Sequence, residues 1–382
     1  MTTVTAKIQV YVDRDQATLL ERTLDAYKDA SNWLSGHVFR TFNLSQPSLN
    51  NLHYQELRTL FCLKSQMAQS VMKTVIARYK SIRANGHEWG EVVFKHHELD
   101  LVFNRDYSVN DSVFSVNTLD GRVKLPYQRK GMTKYFDGTW AFGTAKLVRR
   151  YGKWFLHIPM TKLFPQLKAD EVNNLVGVDL GINHIATTYD SHGKTKFYRG
   201  GIIKFMRGKF KATRKSLQQK QTPSARKRLK RIGQREHRYV SDVNHRIAKA
   251  LVESHPQGTA FILEDLTGVR QATEKVRVKH RYVSVSWAFY QFRQLLEYKA
   301  SMNNQTVILI DPKYTSQCCP KCGHTAKGNR DRKHHHFHCQ RCHYQSNDDR
   351  VGAMNILRKG IDKVAELSAT ITMPSDELSA SI

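Results

Sequence analysis

The chain has 382 residues, a net charge of +28 and an isoelectric point near 9.9. This cationic surplus indicates a polyanionic partner, usually nucleic acid, bound by neutralising phosphates and releasing counterions. The sequence has no apolar run of about eighteen residues and no basic and apolar leader, so we expect neither a membrane span nor a secretion signal. Five of the six cysteines lie between Cys318 and Cys342, which fits a reducing cytoplasm.

The N-terminal segment predicts a strand followed by helices. Residues 4–12 alternate between apolar and polar side chains, as in a half-buried strand. Two apolar stripes at helical spacing follow, and we expect them to form a bundle core rather than a ligand site. Cys62, alone in an apolar helical stretch, is expected in the same core. The stripes consist of Leu20, Leu24, Tyr27, Leu34 and Val38, and of Ala68, Met72, Val75, Tyr79 and Ile82.

Short strands are predicted between about 88 and 160. Basic residues beside aromatics, as in Arg78-Tyr79-Lys80 and Tyr127-Arg129-Lys130, are candidate contacts with RNA or DNA, although exposed cations are common in any protein. The strands are predicted at 92–94, 101–103, 114–116 and 123–125, followed by a hairpin over 145–159 that turns at Tyr151-Gly152-Lys153.

A strongly basic stretch runs from Lys204 to Lys249, with sixteen Lys or Arg residues against two acids, Glu236 and Asp242. Pro223 divides it, which predicts a helical hairpin. The second arm carries an apolar stripe, so we expect one side to pack on the protein and the other to face nucleic acid. A merely solvated face is the alternative. The predicted nucleic-acid-binding residues are Lys204, Arg207, Lys211, Arg214, Lys215, Arg226, Lys227, Arg228, Lys230, Arg231, Arg235 and Arg238.

Two apolar runs typical of buried strands end in carboxylates, one at Asp179 and the other at Glu264. A third acidic site, Asp348-Asp349, precedes an apolar helix start. A carboxylate at the end of a buried strand is costly unless it is paired or binds a cation. Three converging carboxylates would bind hard cations such as Mg²⁺, and two such ions support phosphodiester cleavage. Singly each acid has a structural alternative, and Asp265 competes with Glu264.

Four cysteines predict one structural zinc ion. Cys319, Cys322, Cys339 and Cys342 form two C-x2-C pairs with sixteen residues between them, and two such pairs supply the four soft ligands of a tetrahedral zinc site. Unrelated buried thiols and disulfides are the alternatives. Cys318 is adjacent, but only Cys319 is spaced correctly from Cys322. Nearby histidines could replace a thiolate, although a solvated basic loop is favoured: His324, His334, His335, His336, His338 and His343.

The order of these motifs resembles the TnpB family, which comprises RNA-guided nucleases of small bacterial insertion sequences similar to type V CRISPR effectors. The matching strings are GVDLGI, LEDL, TSQCCPKCGH, CQRC and DDRVGAMNI, over about half of the chain. The family has a RuvC nuclease of the RNase H fold, with a zinc ribbon before its last catalytic acid. The resemblance therefore implies that Asp179, Glu264 and Asp349 are catalytic and hold two Mg²⁺ ions. The family ending A-x-N-I favours Asp349 over Asp348, although Gly352 departs from the commoner pattern.

The resemblance also implies an α/β multidomain organisation. In the family, an N-terminal β-barrel-like wedge with a helical recognition insertion holds the RNA scaffold and contacts a short motif beside the target. The expected divisions are a first wedge strand at 1–13, a helical recognition domain at 14–86, the wedge β-barrel at 87–172, a RuvC-like nuclease at 173–310 with the basic hairpin at 203–255, a zinc ribbon at 311–345, a RuvC-like C-terminal helix at 346–360 and a disordered tail at 361–382.

The resemblance implies an RNA-guided DNA endonuclease of the bacterial cytoplasm. A guide RNA derived from the transposon end would pair with double-stranded target DNA next to a short motif, and one metal-dependent site would cut both strands. A DNA transposase with the same acidic triad is one alternative, although the ribbon placed before the third acid argues against it. A nuclease-inactive RNA-guided repressor is another, although all three acids are present.

Overall fold

The structure, a computed structural model, describes residues 1–129, 131–150, 152–181, 183–266 and 289–372. The chain divides into two compact units, Met1–Leu163 and Phe164–Ile382, which are described one at a time. Lys130, Tyr151 and residues 373–382 of the expected tail lie outside the described residues.

The helices of the first unit bury the two predicted stripes. Asp13 caps the first helix in a reciprocal capping box with Gln16. The expected core position of Cys62 is wrong, because the second helix ends at Leu60 and Cys62 lies exposed in the following loop with φ of 54°. The helices are α1 (Arg14–Thr41), α2 (Gln46–Leu60) and α3 (Ser65–Ala84).

Eight strands of the first unit form one sheet, in the order β2-β7-β8-β1-β5-β4-β3 with β6 beside β8. Phe103, after β2, bridges to Tyr107 at the start of β3, so the two edges approach and nearly close the sheet. The predicted alternating strand is confirmed over residues 4–10 but ends at Val10 rather than at residue 12, and the hairpin over 145–159 is confirmed. The strands are β1 (Thr2–Val10), β2 (Glu98–Leu101), β3 (Tyr107–Val109), β4 (Val113–Thr118), β5 (Gly121–Gln128), β6 (Ala141–Phe142), β7 (Ala145–Arg150) and β8 (Lys153–Lys162).

The strand predicted at 92–94 is wrong. The backbone of this segment is hydrogen-bonded to helix side chains instead of to a neighbouring strand. Asn32 both donates to the carbonyl and accepts from the amide of Phe94. Ser35 donates to the carbonyl of Val92, whose amide donates to the hydroxyl of Tyr79. These side chains satisfy the backbone polar groups that a sheet would otherwise pair.

The second unit contains a mixed five-stranded sheet in the order β11-β10-β9-β12-β13. The first three strands are antiparallel, whereas β9, β12 and β13 are parallel. The strands are β9 (Asn174–Asp179), β10 (His184–Asp190), β11 (Thr195–Arg199), β12 (Thr259–Glu264) and β13 (Thr306–Ile310), and the helices are α4 (Gly201–Lys220), α5 (Pro223–Glu253), α6 (Phe289–Ser301) and α7 (Asp348–Thr372).

Helices cover both faces of this sheet. On β12, Phe261 and Leu263 pack in the core formed with α5 and α6, while Ala260 and Ile262 pack with Ile356 of α7. Burial on both faces explains why the strand is continuously apolar until its final carboxylate. The arrangement is a helix–sheet–helix α/β fold.

A small three-stranded sheet precedes α7, with β14 (Arg330–Asp331), β15 (His336–His338) and β16 (Gln345–Asn347). The expected end of α7 at 360 is wrong. The helix continues to Thr372, so residues 361–372 are helical rather than the start of a disordered tail. Ile361 and Leu367 are exposed in this extension, so the helix continues here with apolar side chains facing solvent.

Candidate active site

Two predicted acids end neighbouring parallel strands. Asp179 is the last residue of β9 and Glu264 the last of β12, and the preceding residues Val178 and Leu263 are paired in register. The carboxyl ends of parallel strands meet at one edge of a sheet, so both side chains stand at the same edge. Ligands in open α/β sheets bind at such edges.

Helix α7 approaches this edge closely because of two glycines. A Cβ built on Gly177 of β9 would lie 2.2 Å from the carbonyl oxygen of Ala353, and one built on Gly352 would lie 3.0 Å from Asp179 Oδ2. Only glycine permits this separation between strand and helix. The first turn of α7, which carries Asp348 and Asp349, therefore lies beside the end of β9.

Burial and neighbouring carboxylates disfavour the charged form of Asp179. Burial of its carboxylate raises the pKa of Asp179 well above its usual range, and the charges of Glu264 and Asp349 raise it further. The charge of Asp349 acts on Asp179 more strongly than that of Asp348. Burial also raises the pKa of Glu264, although Thr315, whose Oγ1 lies 2.5 Å from Glu264 Oε1, counteracts the effect. A bound cation would relieve this repulsion.

Asp348 and Asp349 are almost fully buried, and each has its own partners. Arg330 Nε lies 2.7 Å from Asp348 Oδ2, and His335 Nδ1 lies 3.2 Å from Asp348 Oδ1. His184 Nδ1 lies 2.7 Å from Asp349 Oδ2, while the Arg330 guanidinium lies 3.6 Å from Asp349 Oδ1. Arg330 also lowers the pKa of the two strand-end acids, so its charge extends across the whole site.

Sequence reasoning missed the roles of Arg330 and His184, and it considered His335 only as part of a solvated basic loop or as a substitute zinc ligand. His184 could have been recognised because it follows Asp179 closely in the sequence and begins β10. Since β10 turns back antiparallel on β9, His184 lies near the end of β9. Among the described residues, one mixed cluster with ligand atoms within 4.8 Å is formed by His335, Asp348 and Asp349. The predicted trio of Asp179, Glu264 and Asp349 is electrostatically linked but is less tightly grouped.

The four predicted cysteines converge on one point. The Sγ atoms of Cys319 and Cys342 are 3.6 Å apart, as are those of Cys322 and Cys339, and all four lie within 4.8 Å of one another. A zinc ion with Zn–S bonds of about 2.3 Å requires tetrahedral sulfur separations of about 3.8 Å. The Sγ of Cys318 instead points to carbonyl oxygens of its own turn.

The basic stretch forms the hairpin of α4 and α5, but two of its cations are structural. Arg207 is 3 % exposed, and its Nε lies 3.3 Å from Glu236 Oε1. Arg214 Nη1 lies 2.5 Å from Glu236 Oε2. The expectation that Arg207 faces nucleic acid is therefore wrong, because a buried glutamate between the helices binds it. The exposed members are Lys204, Lys211, Lys215, Arg226, Lys227, Arg228, Lys230, Arg231, Arg235 and Arg238.

Two family models match this chain. The model described as "Probable transposase" matches residues 157–267, and the model described as "Cas12f1-like, TNB domain" matches residues 289–356. In the part of the chain that the structure describes, no helix has the length and apolarity needed to cross a membrane.

Curated relatives match about three fifths of the chain. A CRISPR-associated endodeoxyribonuclease Cas12f1 of Sulfoacidibacillus thermotolerans is 30% identical over 61% of this chain and 57% of its own length. The putative RNA-guided DNA endonuclease InsQ of Escherichia coli is 29% identical over 63% of this chain and 62% of its own length. The TnpB-like protein MJ0751 of Methanocaldococcus jannaschii is 26% identical over 63% of this chain and 86% of its own length. The chain thus spans little more than half of the first relative.

A solved structure supports the fold. The mini-RNA-guided endonuclease CRISPR-Cas_phi3 matches with a TM-score of 0.58 and 10% identity, over 94% of this chain and 92% of that one. At this identity the likeness concerns the fold alone. The sequence matches confirm the resemblance to TnpB proteins and to Cas12f1 proteins.

Proposed function

We propose that this relative of the TnpB and Cas12f1 proteins is an RNA-guided DNA endonuclease with one RuvC-like active site. The observation that carries the proposal is that Asp179 and Glu264 end neighbouring parallel strands, and that the charges of Glu264 and Asp349 both raise the pKa of Asp179. A partly buried carboxylate that faces other carboxylates, as Asp179 does, is destabilising unless it is paired or binds a cation.

The residues present fit Mg²⁺, because carboxylate oxygens are its preferred protein ligands and because burial and neighbouring acids disfavour the charged form of Asp179 when no cation is bound. Bound there, two Mg²⁺ ions would activate a water and stabilise the leaving oxygen of a phosphodiester. The chain's own residues set the geometry. Asp179 and Glu264 are fixed by the pairing of β9 with β12, and His184 holds one oxygen of Asp349. Arg330 adds positive charge to the site through its contact with Asp349 and its effect on the pKa of Asp179 and Glu264.

We assign a structural zinc ion to Cys319, Cys322, Cys339 and Cys342, whose sulfur separations fit a tetrahedral site. Four thiolates leave no open position for substrate, so the ion would hold the ribbon rather than react. The ribbon in turn supplies Arg330 and His335 to the two acids that begin α7. Zinc would therefore support catalysis only by holding Arg330 and His335 in position.

Guide RNA and target DNA are the proposed partners, and the exposed cations of the α4–α5 hairpin are proposed phosphate contacts. Base pairing would select the target while the protein contacts the duplex backbone and the adjacent motif. The first unit corresponds by this proposal to the wedge and recognition regions. A transposase would instead join strands at specific DNA ends without RNA, and a repressor would bind without cutting.

The test begins with RNA that co-purifies with the protein. Sequencing that RNA gives a scaffold and a guide segment, and the guide is then matched to a plasmid library with randomised flanking sequence. We expect Mg²⁺-dependent double-strand cuts beside one enriched flanking motif, and none with Glu264→Gln, which keeps the side-chain size. Cutting without RNA, or strand joining, would favour the transposase. RNA-dependent binding without cuts would favour the repressor.

A further inference from the structure

A pocket of about 640 Å³ opens within the first unit, between α1, α3 and β2. This volume lies in the range of small-molecule sites. One wall is the segment 92–94, whose backbone is tied to Asn32, Ser35 and Tyr79. The wall is thus preformed by hydrogen bonds that run to two helices, and the pocket does not depend on a free loop.

The floor of the pocket is an ordered chain of polar groups. Thr74 Oγ1 donates to Asp100 Oδ2 over 2.6 Å, so the hydroxyl of Tyr27, 3.0 Å away, donates to Thr74. Lys146 Nζ lies 3.4 Å from the other oxygen of Asp100. A carboxylate accepts about four hydrogen bonds, so Asp100 retains capacity for a ligand that carries donors.

The mouth of the pocket is cationic. Lys28 and Lys146 line it but are paired with acids. Lys73, Arg78 and Lys95 also line it, and they are exposed with no ion pair to any residue that the structure describes. A ligand that binds both the cationic mouth and the polar floor carries a negative group at one end and hydrogen-bond donors at the other.

We propose that this pocket binds one unstacked ribonucleotide of the bound RNA, with its phosphate at Lys73, Arg78 and Lys95 and its ribose hydroxyl or base donors at Asp100. RNA is favoured over DNA because a 2′-hydroxyl is a donor that deoxyribose lacks, and single-stranded RNA is commonly bound through splayed nucleotides. The inference deepens the proposed function and depends on it for the presence of RNA.

The experiment titrates the full chain, stripped of nucleic acid, with 5′-phosphorylated ribotrinucleotides rA3, rC3, rG3 and rU3 and their deoxy counterparts. We expect at least one ribotrinucleotide to bind, with the deoxy form weaker by about fivefold or more. Lys73→Gln with Arg78→Gln should weaken binding by about tenfold or more. Lys7→Gln with Lys124→Gln is the matched control, because it removes the same two charges at exposed strand residues of the same unit outside the pocket, and it should leave affinity within about twofold.

Asp100→Asn is the second variant, because it preserves shape while removing an acceptor charge. We expect it to abolish the preference for ribose over deoxyribose. Equal binding of ribo and deoxy trimers to the wild type, or equal effects of the Lys7→Gln, Lys124→Gln control and the pocket double variant, would overturn the inference. Free 5′-mononucleotides that bind as tightly as the trimers would also overturn it in favour of a small-metabolite site. Guided cleavage that persists while no trimer binds would remove the pocket proposal and leave the proposed function standing.

Discussion

Gly352 of α7 lies so close to Asp179 that a Cβ added to the glycine would stand 3.0 Å from a carboxylate oxygen. The helix that carries Asp349 therefore rests against the end of the strand that carries Asp179. The position of Asp349 therefore depends on the absence of a side chain at Gly352 in α7 and at Gly177 in β9. The separation of the two acids is accordingly set by backbone contact.

The first prediction concerns this contact. Gly177→Ala should destabilise the second unit by about 1–3 kcal/mol, because the new methyl group would overlap the backbone of α7. Gly208→Ala is the matched control, since Gly208 lies in α4 with open space around it. That change should stabilise by about 0.5–1 kcal/mol. Chemical denaturation measures the free energy of unfolding of both variants. An unchanged free energy of unfolding in Gly177→Ala would contradict the close packing.

The second prediction uses the raised pKa of Asp179. Because the folded-state pKa is raised, the charged form destabilises the fold once pH exceeds the ordinary aspartate pKa, and this cost persists at neutral pH. Asp179→Asn should therefore raise the melting temperature at pH 7 without metal, by about 2–4 °C per kcal/mol relieved. The gain should vanish at a pH below the unfolded-state pKa.

Added Mg²⁺ supplies the control for that variant. It should raise the melting temperature of the wild type and have little effect on Asp179→Asn, which should also lose cleavage by at least about two orders of magnitude. Equal Mg²⁺ stabilisation of both proteins would show that the ion binds elsewhere.

The third prediction concerns Arg330. Arg330→Ala should destabilise the protein by about 1–3 kcal/mol, because it leaves the buried Asp348 carboxylate with His335 as its remaining side-chain partner. Arg332→Ala removes an exposed cation two residues away and should change stability by less than about 0.5 kcal/mol. Thermal unfolding of both variants decides between a structural pair and an incidental contact.

The fourth prediction separates the two kinds of cation in the hairpin. Neutralising Arg226, Lys227, Arg228, Lys230 and Arg231 together should weaken nucleic-acid binding and lower the slope of log K against log salt by about 0.7–0.9 per lost contact. Arg207→Ala should instead reduce the stability of the hairpin, because Glu236 loses a buried partner. If the slope of log K against log salt were unchanged in the variant that neutralises these five residues, they would form only a solvated face.

The fifth prediction addresses the cysteines. Cys322→Ser and Cys339→Ser should lose the bound zinc and the cleavage activity, whereas Cys318→Ser should retain both, because its sulfur points away from the cluster. Metal analysis of each purified variant, beside a cleavage assay, provides the measurement. Zinc retained by Cys319→Ser but lost by Cys318→Ser would reverse the ligand assignment.

Sequence patterns located the acids and cysteines because local signals identify them. An apolar run that ends in Asp179 or Glu264 and a C-x2-C pair are visible within a few residues. The environment of a charged side chain is not visible within a few residues. Arg207 and Arg226 look alike in sequence, and only the packing of α4 on α5 buries the first against Glu236. The same holds for Arg330 and His184, whose partners come from elements far along the chain.

The topology of the second unit also orders events during synthesis. Asp179 and Glu264 leave the ribosome early, on strands of the central sheet, whereas Asp349 follows only after the cysteine-bearing ribbon. A nascent chain therefore has time to fold the sheet while the carboxylate set is still incomplete. Under the proposed function, the active site is completed last, after the strands that carry Asp179 and Glu264 and the ribbon that contacts Asp349.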